Sequence, residues 1–83
     1  MRIDKYLKNA RLIKRRTIAK EACDQGRIHV NGKIAKPGTE VAIDDELQIR
    51  FGNKTMLVKI IALDEHVTKE SSKMLYEVIS ESE

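Results

Sequence analysis

The sequence predicts a small α+β domain, with an N-terminal helix pair and a β-hairpin on a small, mostly antiparallel sheet. Three observations predict it: apolar residues recur at helical spacing in the first 25 residues, they alternate with polar residues after Gly26, and turn signals separate the alternating stretches. We expect one domain over residues 1–83, since a chain of this length buries only a small core. Such a core argues against a deep catalytic pocket.

Two short helices are expected first. An amphipathic helix is predicted over residues 2–9, with Asn9 on its polar side, from apolar residues at helical spacing: Ile3, Tyr6, Leu7 and Ala10. A second helix is predicted over about residues 15–25 from a second apolar set: Ile18, Ala19, Ala22 and Cys23. Gly26 is well placed to be the left-handed residue after this helix ends.

The remaining chain predicts strands. Ile28 and Val30 precede Asn31-Gly32, a dipeptide that accepts the positive φ angles of a two-residue hairpin turn. After turns at 36–38 and 44–45, apolar residues alternate with polar ones over 47–51, which predicts a half-buried strand. Further strands are expected over 55–63 and 74–79, with a polar loop over 64–73 between them. We expect residues 80–83 to fray.

The charge is divided between the two halves of the chain. Residues 1–36 hold eleven Lys and Arg against three acidic residues, a net charge of +8, whereas residues 37–83 hold five against ten, a net charge of −5. This asymmetry suggests a polyanion partner for the basic half. The alternative is a solvated helix face without a binding role.

The predicted helices would bring several cations to one side of the molecule, where they fit phosphates: Arg2, Lys5, Lys14, Arg15, Arg16, Lys20 and Arg27. A mixture of Arg and Lys suits holding a backbone more than reading bases. Lys20 has a second interpretation, because Asp24 one turn later could pair with it. The aromatic residues are isolated, which favours folded, double-helical RNA over stacked single strands, while duplex DNA remains open.

Residues 1–41 resemble the RNA-binding domain named after small-subunit ribosomal protein S-four, also called the alpha-L motif. The resemblance rests on Arg2-x-Asp4-x-x-Leu7, Arg11-Leu12, Lys14-Arg15-Arg16, Ala19, Gly26 and Val30-Asn31-Gly32. It assigns the RNA-binding motif to about residues 1–50 and leaves about 51–83 for C-terminal strands and an acidic tail. The candidate RNA-binding residues are Arg2, Asp4, Lys5, Arg11, Lys14, Arg15, Arg16, Lys20, Arg27, Asn31 and Lys33, with Arg2 and Arg16 foremost.

Among free-standing domains of this kind, the chain is most similar to the RqcP family and to the fifteen-kilodalton heat-shock ribosome-binding family. Its acidic C-terminal stretch departs from the lysine-rich tail of the second family. The resemblance implies a bacterial, cytoplasmic, ribosome-associated factor that acts in quality control. It would bind obstructed large ribosomal subunits through ribosomal RNA and peptidyl-tRNA, and would support RqcH during alanine tailing of stalled chains. We expect a monomer.

Other functions have less support from the sequence. An enzyme is disfavoured because one cysteine and two separated histidines, His29 and His66, offer no catalytic or metal-ligand spacing, so no cofactor or metal is expected. Cys23 is expected in the core, and His29 is expected on a solvated hairpin. No stretch approaches the roughly 20 apolar residues of a membrane span. A ribosome-assembly factor, another structured-RNA-binding factor and a protein-only adaptor remain alternatives.

Overall fold

A computed structural model describes residues 1–82. The elements in chain order are α1 (Ile3–Asn9), α2 (Arg16–Asp24), β1 (Ile28–Val30), β2 (Lys33–Ile34), β3 (Glu46–Phe51), β4 (Lys54–Ile60), a 3-10 turn (Ser71–Met74) and β5 (Tyr76–Ser82). The strands form one sheet in the order β2-β1-β3-β4-β5, and each neighbouring pair is antiparallel. The predicted α+β class and the helix pair followed by a hairpin are therefore confirmed.

The start of α1 is fixed by a distant part of the chain. No side chain caps this helix, and instead the backbone N–H groups of Ile3 and Asp4 donate to the carbonyls of Thr39 (2.8 Å) and Pro37 (3.4 Å). These contacts satisfy N–H groups that the first helical turn leaves without partners. The segment that follows the hairpin therefore sets where α1 begins, one residue later than predicted.

Both helices end in the same hydrogen-bonded motif. After α2, Arg27 N–H donates to the Ala22 carbonyl and Gly26 N–H to the Cys23 carbonyl, both over 3.0 Å, with Gly26 at φ +72° as predicted. This pattern is a Schellman motif, in which a left-handed residue closes the helix. At the end of α1 the left-handed position belongs to Arg11, at φ +57°, which is unusual because a Cβ disfavours this backbone region.

The C-terminal strand is longer than the sequence predicts. The expected fraying over 80–82 is wrong, because Ser80, Glu81 and Ser82 pair with β4 across a register shift at Leu57/Val58. Residue 83, the last of the predicted frayed segment, lies outside the described residues. The strand expected over 55–63 ends at Ile60, since the next two N–H groups donate to the Leu75 carbonyl. The segment predicted as a polar loop, 64–73, holds most of the 3-10 turn, and the last strand begins at Tyr76 rather than at residue 74 as predicted.

The core lies between the helix pair and the sheet. Tyr6 is fully buried, and its hydroxyl donates to the Leu75 carbonyl over 2.6 Å, which joins α1 to the C-terminal region. Cys23 is 3% exposed as predicted, and burial raises the pKa of its thiol to about 11. Ile18, predicted on the apolar face of α2, is 45% exposed. Among residues 1–82, neither helix is long and apolar enough to cross a membrane.

Candidate RNA-binding surface

A buried carboxylate organises the start of the two helices. Asp4 is fully buried in the first turn of α1. Its Oδ1 accepts a hydrogen bond from the Lys5 backbone N–H (2.8 Å), and its Oδ2 accepts one from Arg2 Nη2 (3.1 Å). Arg16 Nε lies 3.4 Å from the same Oδ2. One oxygen therefore holds two guanidinium groups that come from different parts of the chain.

This arrangement leaves cationic groups facing solvent. The Arg2 and Arg16 side chains remain 46% and 43% exposed, and the single buried carboxylate offsets only one of their two positive charges. A guanidinium carries five N–H donors, so both arginines keep donors for another ligand. Arg16 is also the first residue of α2, where the helix dipole adds positive potential. We name Arg2, Asp4 and Arg16 the arginine pair site.

The Lys5 side chain pairs with a carboxylate outside the arginine pair site. Its Nζ donates to Glu65 Oε1 over 3.1 Å, which joins α1 to the segment between β4 and β5. The hydrogen bond and charge of Lys5 lower the pKa of the Glu65 carboxyl, with smaller contributions from His66 and the N-terminal amino group. The charge of Lys5 is therefore partly neutralised by Glu65, in an ion pair at the protein surface.

Arg27 and Asn31 also have partners inside the fold. Arg27 Nε donates to the Arg50 carbonyl over 3.0 Å and its Nη1 donates to Gln25 Oε1 over 3.2 Å, so β3 holds this side chain. Asn31, at φ +50° in the hairpin turn, accepts from the Glu46 N–H (2.9 Å) and donates to Asp45 Oδ1 (3.1 Å). Their predicted contacts with RNA remain predictions.

The other candidates lie on exposed parts of the helix pair and hairpin. Arg15, Lys20 and Lys33 are exposed, and among residues 1–82 no ion pair joins Lys20 to Asp24. The ion pair with Asp24, which was the alternative role for Lys20, is therefore absent from residues 1–82. Its charge faces solvent.

Arg11 and Lys14 line a pocket that sequence reasoning did not find. The pocket, about 530 Å³, lies between the end of α1 and the segment before β5, and is lined by Lys8, Asn9, Arg11, Lys14, Glu65, His66, Val67 and Thr68. Asn9, predicted on the polar side of α1, is only 6% exposed. A pocket between residues more than 50 positions apart leaves no local signal in the sequence, although Arg11 and Lys14 were both candidate RNA-binding residues.

The comparisons with known proteins agree with this fold. The model of the S4 domain family matches residues 1–47. The chain is 52% identical to the RQC P-site tRNA stabilizing factor of Streptococcus pneumoniae, covering 99% of this chain and 93% of the relative. It is 59% identical to the factor of the same name from Halalkalibacterium halodurans, covering 98% and 92%. The trimeric Heat Shock Protein 15 of Vibrio cholerae superposes with a TM-score of 0.89 at 28% identity, covering 96% and 82%.

The helix pair, hairpin and antiparallel sheet thus form an alpha-L fold, the architecture expected from the first 41 residues. The chain belongs to the S4 domain family, and its similarity to the two factors covers nearly all of its length. The predicted resemblance is confirmed over nearly the whole chain.

Proposed function

We propose that this protein binds bacterial large ribosomal subunits obstructed by peptidyl-tRNA, and that it acts in ribosome-associated quality control with RqcH during C-terminal alanine tailing. It contacts ribosomal RNA and tRNA in the cytoplasm and carries out no catalytic step. The observation that carries the proposal is the arginine pair site on a chain 52–59% identical, over nearly its full length, to proteins named RQC P-site tRNA stabilizing factor.

The geometry of the arginine pair site supports phosphate binding. Arg2 and Arg16 approach one oxygen of Asp4, so their guanidinium groups are held close together before a ligand arrives. A pre-positioned guanidinium can bind a phosphate through two parallel hydrogen bonds. Because the donors are already ordered, less side-chain entropy is lost on binding. In this proposal residues 1–50 carry the RNA contacts, and the strands and acidic residues of 51–83 complete the single domain.

We infer further that the chain acts as a monomer. The exposed edge strand β5 carries Glu77 and Glu81, and charged residues on an edge strand disfavour pairing with a second sheet. Light scattering at micromolar concentration tests this inference, and a mass three times that of the chain would contradict it.

Co-sedimentation with large ribosomal subunits tests the proposed function. Subunits carrying peptidyl-tRNA should bind the protein more tightly than empty subunits. The logarithm of the affinity should fall with the logarithm of salt concentration, with a slope of about −0.7 to −0.9 for each phosphate neutralised. A flat salt response would exclude the RNA-binding proposal. Equal binding to empty subunits would instead favour a role in ribosome assembly.

A cellular measurement separates quality control from simple ribosome binding. Cells that lack the protein should carry fewer alanine tails on stalled chains. The parent protein should restore them, whereas a variant with both Arg2→Ala and Arg16→Ala should not. Restoration by this double variant would contradict the role of the arginine pair site.

A further inference from the structure

The pocket between α1 and the segment before β5 holds cations that have no carboxylate partner. Lys8, Arg11 and Lys14 line it, and none of the three forms an ion pair within residues 1–82. The acidic residue at its rim, Glu65, already accepts the hydrogen bond of Lys5. The pocket therefore has a net positive charge, which suits an anion.

Asn9 gives this pocket a polar group that the protein itself does not use. The residue is 6% exposed, and its Nδ2 is buried without a hydrogen-bond partner within residues 1–82. A buried amide nitrogen left unpaired destabilises a fold, and such groups in native proteins call for an explanation. Because Asn9 is one of the residues that line the pocket, an oxygen of a ligand bound there would supply the acceptor that Nδ2 lacks.

The backbone is also strained at Arg11, two residues after Asn9. Arg11 adopts φ +57° directly after the end of α1, where glycine would be unstrained. This choice keeps a guanidinium at the pocket, since Arg11 is one of the residues that line it. An unpaired amide and a strained arginine therefore occur two positions apart at one concave site.

We propose that this pocket binds one phosphate group of the RNA backbone, separately from the arginine pair site. Asn9 donates a hydrogen bond to a phosphate oxygen, and Lys8, Arg11 and Lys14 supply the charge. The assignment to RNA rests on the proposed function and on a link between the two sites: Lys5, whose N–H binds Asp4, also donates to Glu65, which lines the pocket. An isolated phosphate ion shares the same chemistry, and the experiment distinguishes the two.

Two variants test the pocket against one matched control. Asn9→Leu removes the amide but keeps the size of the side chain, and Lys14→Gln removes one charge. Lys73→Gln removes one charge from an exposed lysine of the 3-10 turn that does not line the pocket. Urea denaturation checks that each variant is folded, and Asn9→Leu should be at least as stable as the parent because it removes an unpaired buried polar group.

The first measurement is the affinity for large subunits with peptidyl-tRNA at several salt concentrations. Asn9→Leu and Lys14→Gln should each weaken binding by about 5- to 30-fold. Lys14→Gln should also reduce the salt slope by about 0.9, whereas Asn9→Leu should leave it unchanged because no charge is lost. If both variants bind like Lys73→Gln while the parent binds tightly, the pocket assignment fails and the proposed function stands.

The second measurement does not depend on the ribosome. Inorganic phosphate is titrated into the parent protein, and the side-chain amide signal of Asn9 and the backbone signals of 8–14 and 65–68 are followed by NMR. These signals should shift with phosphate at constant ionic strength, and the shifts should be lost in Lys14→Gln. The absence of shifts in the parent overturns the pocket proposal. Shifts combined with unchanged subunit affinity in both variants would assign the pocket to free phosphate and overturn its role in RNA binding.

Discussion

Asp4 and Arg16 form an ion pair that joins the two helices, with 3.4 Å between Oδ2 and Nε. The carboxylate is fully buried, whereas the guanidinium is close to half exposed. The pair is therefore asymmetric: it orients a solvent-facing cation by means of a carboxylate that water does not reach. Arg2, which reaches the same oxygen, is the second cation of this arrangement.

The first prediction concerns the shape of the arginine at position 16. Arg16→Ala should weaken binding to large subunits by roughly ten- to a hundredfold, because a charge-assisted hydrogen bond contributes about 1.5 to 3 kcal/mol. Arg16→Lys keeps the charge but loses the planar fork, so it should recover only part of the affinity. Titration of the subunits at one fixed salt concentration measures both.

Lys73→Ala provides the control for position 16, because Lys73 is exposed and lies far along the chain in the 3-10 turn. If Arg16→Ala binds as well as Lys73→Ala, Arg16 is not a contact residue. If Arg16→Lys equals the parent, only a general electrostatic attraction remains.

The second prediction concerns the effect of the buried Asp4 carboxylate on the free energy of unfolding. Arg2→Ala or Arg16→Ala alone leaves one guanidinium beside Asp4, whereas the double variant leaves a buried charge with no ion-pair partner. The double variant should therefore lose about 1 kcal/mol more free energy of unfolding than the sum of the single variants. Urea denaturation of all four proteins measures this coupling.

A pair without a shared partner serves for comparison. Arg2→Ala combined with Lys73→Ala should show additive losses. Additive losses for Arg2 and Arg16 as well would mean that Asp4 does not couple them in solution.

The third prediction separates folding from binding at the hairpin turn. Asn31→Ala should reduce the free energy of unfolding by about 2 kcal/mol, because it loses the bond to the Glu46 N–H and places a Cβ-bearing residue without polar compensation at φ +50°. Asn31→Gly relieves the backbone and should cost about half as much. Thermal and urea unfolding measure the difference.

The affinity of folded Asn31→Gly for large subunits decides whether this residue also contacts RNA. A change of less than about twofold would mean that both polar atoms of the side chain serve only the fold, where each already has a partner. A tenfold loss would place the Asn31 amide at the RNA interface.

The sequence predicted the parts of the fold that depend on local signals. The left-handed residue after α2 and the hairpin turn follow from the backbone preferences of Gly26 and Asn31-Gly32, and the structure has both. The end of strand β5 was missed because Ser80, Glu81 and Ser82 show no alternation of apolar and polar side chains. They pair with β4 through backbone hydrogen bonds, and Glu81 adds an ion pair with Lys54. Backbone pairing at a sheet edge has no signature in side-chain type.

The candidate site was predicted in composition but not in geometry. Arg2, Asp4 and Arg16 were all named, yet their meeting at one oxygen depends on how α1 and α2 pack. Asn9 was misplaced because residue type suggests exposure for an asparagine, whereas it is buried beside the segment over 65–68. That contact joins residues far apart in the chain, so periodicity carries no information about it.

The fourth prediction is a pH dependence that comes from Cys23. Burial, with smaller contributions from Asp4 and Asp24, raises the pKa of the thiol from 9.0 to about 11. Below pH 9 the thiol is protonated in both the folded and the unfolded state, so the stabilisation that comes from its raised pKa is fully present. Between about pH 9 and 11 the unfolded state ionises first, so the free energy of unfolding should fall by on the order of 2 to 3 kcal/mol.

Cys23→Ala isolates this contribution from other groups that titrate in the same range. The free energy of unfolding of the parent, measured in urea from pH 8 to 11, should fall more steeply than that of the variant. The native thiol should also resist alkylating reagents and react only after unfolding. Parallel pH curves for the two proteins would show that the pKa of this thiol is not raised. Rapid alkylation of the native state would show that the thiol is not buried.

The fifth prediction sets stability against binding at Arg11. Arg11→Gly removes the strain of a side chain at φ +57° in the motif that ends α1, so the free energy of unfolding should rise by about 0.5 to 1 kcal/mol. The same change removes a cation from the pocket that Lys8 and Lys14 also line. The affinity for large subunits should therefore fall by about fivefold, with a smaller salt slope.

Arg11→Ala distinguishes the two effects, since it removes the charge but keeps a Cβ at the strained position. It should bind as weakly as Arg11→Gly without gaining its stability, because the loss of affinity comes from charge and the gain of stability from the backbone. Urea denaturation and subunit titration of the same protein preparations measure both quantities. A glycine variant that is more stable and binds as tightly as the parent would show that the arginine serves no ligand, and the strained backbone at the end of α1 would then need another cause.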